Sequence, residues 1–219
     1  MIITIDGPAG TGKTTIARDV AHRLGFVYCD TGAMYRAVTY ALVKEGIDWK
    51  DKKALTEFLG QFSFSIKETD GEKRYFIGHD DVTVAIRSTD VTRTVSEVSA
   101  LFDVRNAMVN LQRQVGKLGN VVFEGRDMGT TVFPNAEVKI FLTASCEERA
   151  NRRYKEMKSK GENVSFKTIL NEMIARDAYD SSREISPLQK AEDAQLIDTT
   201  ELDVNQVVDE VINLIRKVK

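Results

Sequence analysis

The sequence predicts an α/β fold in which a parallel sheet is covered by helices, and three observations lead to it. Short β-rich apolar runs recur at Ile2 to Asp6, Phe26 to Asp30, Val121 to Glu124, Val138 to Leu142 and Leu196 to Thr199, each followed by a helical pattern. The runs are apolar on both faces, as central strands between helices require, and end in polar residues (Asp6, Asp30, Glu124, Asp198) at the carboxyl ends where such sheets collect ligands. The first run leads directly into Gly7-Pro8-Ala9-Gly10-Thr11-Gly12-Lys13-Thr14, a complete G-x-x-x-x-G-K-S/T phosphate-binding loop.

Taken in order, the loop comes first. Its glycines let consecutive backbone N–H groups turn inward around a phosphate, and the helix behind it presents a positive N-terminal end to the same anion. That helix is announced by Ile16, Ala17, Val20, Ala21 and Leu24. Lys13 can reach toward the terminal phosphate of a nucleoside triphosphate, and the Thr14 hydroxyl suits a magnesium ion that keeps most of its water.

Between Leu55 and Ser88 the pattern changes. Phe62 to Ile66 alternates, Thr69-Asp70-Gly71-Glu72 reads as a turn, and Arg74 to Ile77 followed by Val82-Thr83-Val84 predict further short strands, together a small antiparallel insertion. From Glu147 to Lys160, Arg149, Arg152, Arg153, Lys155, Lys158 and Lys160 crowd one stretch; on charge alone this reads as a solvated helix face. Arg176, Asp177, Asp180 and Arg183 are spaced to share a helical face, either as a ligand site or as a surface ladder of ion pairs. Val204, Val207, Val208, Val211, Ile212 and Ile215 make a final amphipathic helix whose apolar stripe caps the sheet.

Composition narrows the function. The 219 residues suffice for one well-buried core carrying a small insertion. A net charge of −2 and a pI near 5.8 argue against bulk attraction to nucleic acid or to an anionic membrane, and favour small phosphorylated ligands. Met1 opens a buried strand, so no signal or transit segment is expected, and no apolar stretch approaches the ~20 residues that cross a bilayer. A cytoplasmic location follows as the expectation. Cys29 and Cys146 read as free thiols, and with His22 and His79 they lack metal-ligand spacing, so no structural zinc is expected.

A phosphate-binding loop alone allows kinases, GTPases, motor ATPases and nucleotide-gated switches. There is no N-K-x-D guanine-reading sequence, which argues against a GTPase. Instead there is an inventory of arginines at or just beyond the expected strand ends: Arg36, Arg87, Arg105, Arg126, Arg176 and Arg183. Phosphoryl transfer to a second anion needs such an inventory, because guanidinium clamps hold the acceptor phosphate in line and neutralise it. No strong general base is required, since an acceptor phosphate oxygen is already ionised at neutral pH.

At Asp30-Thr31-Gly32-Ala33-Met34-Tyr35-Arg36 and Glu124-Gly125-Arg126-Asp127-Met128-Gly129-Thr130, together with the loop, the sequence resembles the bacterial-type cytidylate kinases of the nucleoside monophosphate kinase group, over nearly the whole chain. The resemblance implies a P-loop kinase fold with a five-stranded parallel sheet. It implies a core at 1–35, 89–145 and 161–219, a monophosphate-binding region at about 36–88 that holds the antiparallel insertion, and a short mobile lid at about 146–160. It also implies transfer of the terminal phosphoryl group of ATP to CMP or dCMP in pyrimidine nucleotide metabolism, with Mg²⁺ accompanying ATP as co-substrate, and a monomer.

Carried over residue by residue, the resemblance puts ATP on Gly7, Pro8, Ala9, Gly10, Thr11, Gly12, Lys13, Thr14 and Thr15, with Arg149 against the adenine and Arg153 on the donor phosphates. It puts the acceptor on Thr31, Tyr35, Arg36, Ser96, Arg105, Arg126, Asp127, Arg176, Asp180 and Arg183. Within that set Arg36, Arg126 and Arg183 take the phosphate, Arg176 and Asp180 lie near the ribose, and Ser96, Arg105 and Asp127 read the cytosine edge. Lys13, Arg126, Arg153 and Arg183 carry catalysis, and Thr14 meets the magnesium together with waters. A carboxylate beside donors suits cytosine, whose amino group adjoins a ring nitrogen and a carbonyl; uracil would set a carbonyl against the carboxylate.

Thr31 stands where family members often have Ser, which keeps a hydroxyl, and Glu124 stands where Asp is common, which lengthens a carboxylate arm able to orient magnesium-bound water. Asp6 is expected to cap or orient the loop, Tyr35 to pack or to stack on the acceptor, Trp49 to lie at the surface or a helix start, and Cys29 to be a small buried side chain. Two rivals remain on the sequence: a kinase of the same architecture for another small acceptor such as UMP, AMP, TMP or a non-nucleotide metabolite, and a nucleotide-dependent switch or binding module.

Overall fold

The computed structural model describes residues 1–69 and 72–218. In chain order its elements are β1 (Ile2–Asp6), α1 (Lys13–Leu24), β2 (Val27–Asp30), α2 (Thr31–Glu45), α3 (Lys52–Gln61), β3 (Phe64–Thr69), β4 (Glu72–Ile77), β5 (Asp80–Asp81), α4 (Thr89–Val98), α5 (Phe102–Gly116), β6 (Val121–Gly125), β7 (Val138–Thr143), α6 (Cys146–Ser159), α7 (Phe166–Ser181), β8 (Gln195–Asp198) and α8 (Val204–Arg216). A 3₁₀ turn at Ala85–Arg87 precedes α4, and a π-helical turn at Met128–Val132 follows β6. The chain divides into two compact units, Met1–Asp30 with Arg113–Lys219, and Thr31–Gln112.

The first unit is a five-stranded parallel sheet in the order β2-β6-β1-β7-β8. β1 lies at its centre, with Ile3 opposite Val122 of β6 and Val138 of β7. The phosphate-binding loop therefore leaves the sheet at the middle of its carboxyl edge, where the strand order changes direction. Strand alternation sends Ile3 and Ile5 to one face, where they join Ile16, Ala17 and Val20 of α1 and Val207, Val208 and Val211 of α8 in one apolar cluster. Full burial of each such aliphatic side chain is worth on the order of 2 kcal/mol. α8 is started by Asp203, whose side chain accepts from the Gln206 N–H at 3.0 Å while Gln206 Oε1 accepts from the Asp203 N–H at 2.9 Å.

Two strands depart from the expected two-sided burial. β2 and β8 are the sheet edges, so Val27 and Leu196 are exposed. The second face of β1 is polar, because Thr4 and Asp6 point there beneath the π-helical turn, with Lys139 of β7 beside them. Val204, expected in the buried stripe of α8, is exposed at its first turn.

The second unit holds α2, α3, α4, most of α5 and an antiparallel sheet in the order β3-β4-β5. Phe64 and Ile66 of β3 pair with Ile77 and Tyr75 of β4, and these side chains gather with Val82, Ile86, Ala33 and Ala37. The expected turn at Asp70-Gly71 lies outside the described residues. The third strand falls at Asp80–Asp81 and not at Val82 to Val84. The reason is local: the Thr83 hydroxyl accepts from the Tyr75 N–H at 2.9 Å in place of a ladder bond, and the chain then turns into Ala85–Arg87, leaving Val84 exposed. Trp49 sits just before Asp51, which caps α3, and donates to Glu97 at 3.1 Å. Among the described residues no helix is long and apolar enough to cross a membrane.

Candidate active site

The loop after β1 is shaped by close approach. Gly7 has φ +146°, and a Cβ there would lie 2.1 Å from the carbonyl oxygen of Leu142 in β7, so no other residue fits. Gly12, at φ +87°, brings no side chain with which to cap the first-turn amides of α1, which leaves them to a ligand. Lys13 is buried, and its Nζ donates to the Pro8 carbonyl at 2.6 Å; Thr11 Oγ1 donates to the same carbonyl at 3.1 Å. Burial, reinforced by the nearby Arg126 cation, pulls the Lys13 ammonium well below its ordinary range, while Glu124 works in the opposite direction. A cation held this way gains strongly from an incoming polyphosphate.

Thr14 Oγ1 donates to Glu124 Oε1 at 2.9 Å, and Asp30, at the end of the neighbouring β2, hydrogen-bonds to the same glutamate. Burial, and then the adjacent Asp30 carboxylate, push Glu124 up to about 8. The parallel register of β2 on β6 sets Asp30 opposite Glu124, which explains the juxtaposition. The Thr14 hydroxyl and the crowded Glu124 and Asp30 carboxyl groups are hard oxygen donors, so they fit a magnesium ion that arrives on the nucleotide and keeps several waters. Among the described residues no group of three or more His, Cys, Asp or Glu side chains could cage a metal by itself.

Asp6 does not cap the loop as expected from sequence. Its carboxylate accepts from the Met128 N–H at 3.0 Å and the Gly129 N–H at 2.8 Å, and so holds the π-helical turn that begins after Asp127. Arg113 holds the other end of that turn through the carbonyls of Thr131 and Val132, at 3.2 Å each. Burial raises Asp6 from 3.8 to about 6, against the two amides, which lower it. Between those values the folded protein keeps a proton that the unfolded chain has lost, so stability falls as pH rises through this window, by about 3 kcal/mol at pH 7. Urea unfolding of the protein and of Asp6→Asn from pH 4 to 7 measures this: the stability difference between them should move by about that amount in the direction of a weaker wild type. A pH-independent difference would remove the assignment.

The strongest concentration of charge centres on Asp180 of α7. Its buried carboxylate meets Arg183 at 2.6 Å, Arg126 at 3.4 Å and Arg176 at 3.8 Å. α7 ends at Ser181, so Arg183 reaches back from beyond the helix. Asp177 belongs to a different pair: it meets Arg149 at 2.6 Å, and the same guanidinium donates to the carbonyls of Ala9 in the loop at 3.0 Å and of Ala144 at 3.1 Å. The basic stretch of α6 is thus divided. Arg149 is buried against the loop, whereas Arg152 and Arg153 are both half-buried, Arg152 pairing with Glu148 at 2.9 Å and Arg153 with Glu156 at 2.8 Å.

The remaining predicted residues, Thr31, Tyr35, Arg36, Ser96 and Arg105, lie in the second unit. Thr31 opens α2 and is buried. Arg36 donates to Thr92 Oγ1 at 2.9 Å and to the Ile86 carbonyl at 3.3 Å. The buried Arg105 guanidinium donates to the Ser99 carbonyl at 3.2 Å and lies 5.5 Å from the Tyr35 ring centre, so Tyr35 packs under a cation. Ser96 sits half-buried on α4, one turn before Ser99. Of the arginines expected at strand ends, Arg126 alone directly follows a parallel strand; Arg36 and Arg105 sit within helices and Arg87 in the 3₁₀ turn. Sequence reasoning passed over Asp177, Arg152 and Thr199 as contributors to the loop's surroundings. The signal for Thr199 is its place at the polar end of a strand run and that for Asp177 its helical spacing beside Asp180; Arg152 carries none beyond charge.

The family model described as Cytidylate kinase matches residues 3–217. Curated proteins named Cytidylate kinase are similar along nearly the full length: one from Exiguobacterium sp. is 48% identical over 99% of this chain and 97% of its own, and one from Bacillus subtilis is 47% identical over 98% and 96%. In fold the chain is similar to a shikimate kinase from Bacteroides thetaiotaomicron (TM-score 0.51, 13% identity, 99% of this chain and 98% of that one). It is likewise similar to an uncharacterized protein from Eubacterium ventriosum (TM-score 0.54, 16% identity, 99% and 98%).

Proposed function

The chain belongs to the cytidylate kinase family, and from that premise we propose that it transfers the terminal phosphoryl group of ATP to CMP or dCMP, releasing ADP and CDP or dCDP. The observation that carries this reading is the gathering of Arg126, Arg176 and Arg183 around Asp180 in the same unit as the phosphate-binding loop. One loop serves the donor phosphates; three guanidiniums held ready by a single carboxylate serve a second anion.

In this reading the loop amides, Lys13 and Thr14 hold the donor phosphates, and Arg149 fixes the loop to α6 while offering its flat guanidinium to the base. Arg126 and Arg183 hold the acceptor phosphate in line and, with Lys13 and Arg153, take up the negative charge that spreads in the transition state. Arg36 joins them on the acceptor phosphate, with Arg176 and Asp180 near its ribose. Thr14, Glu124 and Asp30 would hold magnesium bound to the nucleotide, which neutralises phosphate charge when present. Asp127, Arg105 and Ser96 read the cytosine edge. A cytoplasmic location goes with substrates drawn from the common nucleotide pool.

The test is ADP release from ATP and Mg²⁺ with CMP, dCMP, UMP, AMP and dTMP at equal concentrations and without acceptor. CMP and dCMP should dominate. Another preferred acceptor would keep the kinase and reassign the base pocket, while acceptor-independent turnover would favour a switch. In the same assay Asp127→Asn should cut the preference for CMP over UMP by about tenfold or more, because a discriminating hydrogen-bonded pair is worth at least that much, with ATP KM little changed. Unchanged base selectivity would show the base-reading group to be misplaced.

A further inference from the structure

We propose that Arg152 and Thr199 form a positioning pair that sets the register of α6 against the phosphate-binding loop and thereby tunes the affinity for ATP. This rests on the reading that the loop and α6 handle the donor nucleotide.

Arg152 donates from all three of its guanidinium nitrogens. Nε donates to Glu148 Oε1 at 2.9 Å, one turn earlier on α6; one terminal nitrogen donates to Thr199 Oγ1 at 3.1 Å and the other to the Thr199 carbonyl. Thr199 directly follows β8 and is buried, and its N–H donates to the Thr143 carbonyl at 2.8 Å. Its hydroxyl, already an acceptor from Arg152, has one proton to give, and two carbonyls lie in reach: Thr143 at 3.1 Å and Thr11 of the loop at 3.3 Å. The start of α6 has a second tie to the same place, since the Ser145 N–H donates to Thr200 Oγ1 at 3.0 Å and that hydroxyl donates to Asp198 at 2.6 Å.

α6 is therefore fastened to the loop directly by Arg149, which reaches the Ala9 carbonyl, while Arg152 holds Thr199, whose hydroxyl sits between the Thr143 carbonyl at 3.1 Å and the Thr11 carbonyl of the loop at 3.3 Å. Arg149 and Arg152 are three residues apart on one helical face, so the grip of Arg152 sets where Arg149 stands against the loop. A lysine at 152 would keep the charge and the pairing with Glu148, but a point cation cannot replace the two-pronged hold on Thr199.

Three variants decide the matter: Arg152→Lys, Thr199→Val, which keeps shape and removes the hydroxyl, and Thr199→Ser, which returns it. ATP is titrated calorimetrically into each, and KM for ATP and for CMP are measured separately, all at a temperature where circular dichroism shows a folded protein. Arg152→Lys and Thr199→Val should weaken ATP binding about tenfold, the size expected for losing a charge-assisted hydrogen bond, with CMP KM unmoved and Thr199→Ser near wild type. A purely structural pair would lower the melting temperature and leave ATP affinity unchanged in the folded variants, and that result, or equal loss for both substrates, overturns the proposal. If Thr199→Val does not fold, the half-exposed Arg152→Lys decides alone. A wild type that binds ATP but does not phosphorylate CMP would overturn the function and still leave the pair to be judged on ATP affinity.

Discussion

Lys13→Met lowers turnover about a thousandfold while leaving the fold nearly as stable as before. Lys13 lies buried in the first turn of α1, with its ammonium pulled well below its ordinary range, so in the proposed reading its charge is worth most when a polyphosphate arrives to pair with it. Methionine keeps the length and loses only the ammonium. On the folding side the loss is small, because a desolvated cation is removed along with one bond to Pro8, whose carbonyl still accepts from Thr11 at 3.1 Å. A change of at most about 1 kcal/mol is expected from such an exchange of a buried charge for an apolar group. Steady-state turnover with ATP and CMP, set beside chemical denaturation, checks both halves. Near-normal turnover would take the loop out of the mechanism, and an unfolded variant would show that the cation is structural.

Asp180→Ala has the opposite signature, a large loss in both stability and acceptor binding. The carboxylate is buried and is the shared counter-charge of Arg126, Arg176 and Arg183. Removing it leaves like charges crowded together, and breaking one side of a buried ion cluster typically costs about 3–5 kcal/mol. The acceptor should suffer more than the donor: CMP KM should rise about tenfold or more as the guanidiniums splay, whereas ATP, which the proposed reading puts on the loop, should be affected far less. Asp180→Asn keeps the shape and hydrogen-bonding oxygen without the charge, and should fall between. Wild-type stability together with an unchanged CMP KM would reduce the cluster to a surface ladder.

How far these sites could be read in advance depended on the range of the interactions that make them. The Arg176, Asp180 and Arg183 grouping was visible as a helical spacing, since partners three and four residues apart meet whatever the fold. Arg126 could not be added to it from spacing, because it meets Asp180 from 54 positions away. The basic stretch of α6 shows the limit more sharply. Charge alone suggests a solvated face, and only its packing separates the buried Arg149, bound to a carbonyl 140 residues earlier in the chain, from the half-buried Arg153 paired with Glu156. Asp6 departs from its expected partner for a related reason: it adjoins the loop in sequence, but strand alternation points it to the polar face of the sheet, under Met128 and Gly129.

By itself the sequence determined the parallel strands, the helices between them, the antiparallel insertion and the phosphate-binding loop. These are set by periodicity and by glycines whose backbone angles, such as φ +87° at Gly12, other residues rarely adopt. Only the tertiary structure decided which strands are edges, that Thr83 replaces a third full strand, and which carboxylate serves which arginine. The sheet order 2-6-1-7-8 brings Asp30 beside Glu124 and joins the ends of β7 and β8 to the loop. Such pairings are chosen by the burial and hydrogen-bonding demands of the whole core, which no local window of sequence contains.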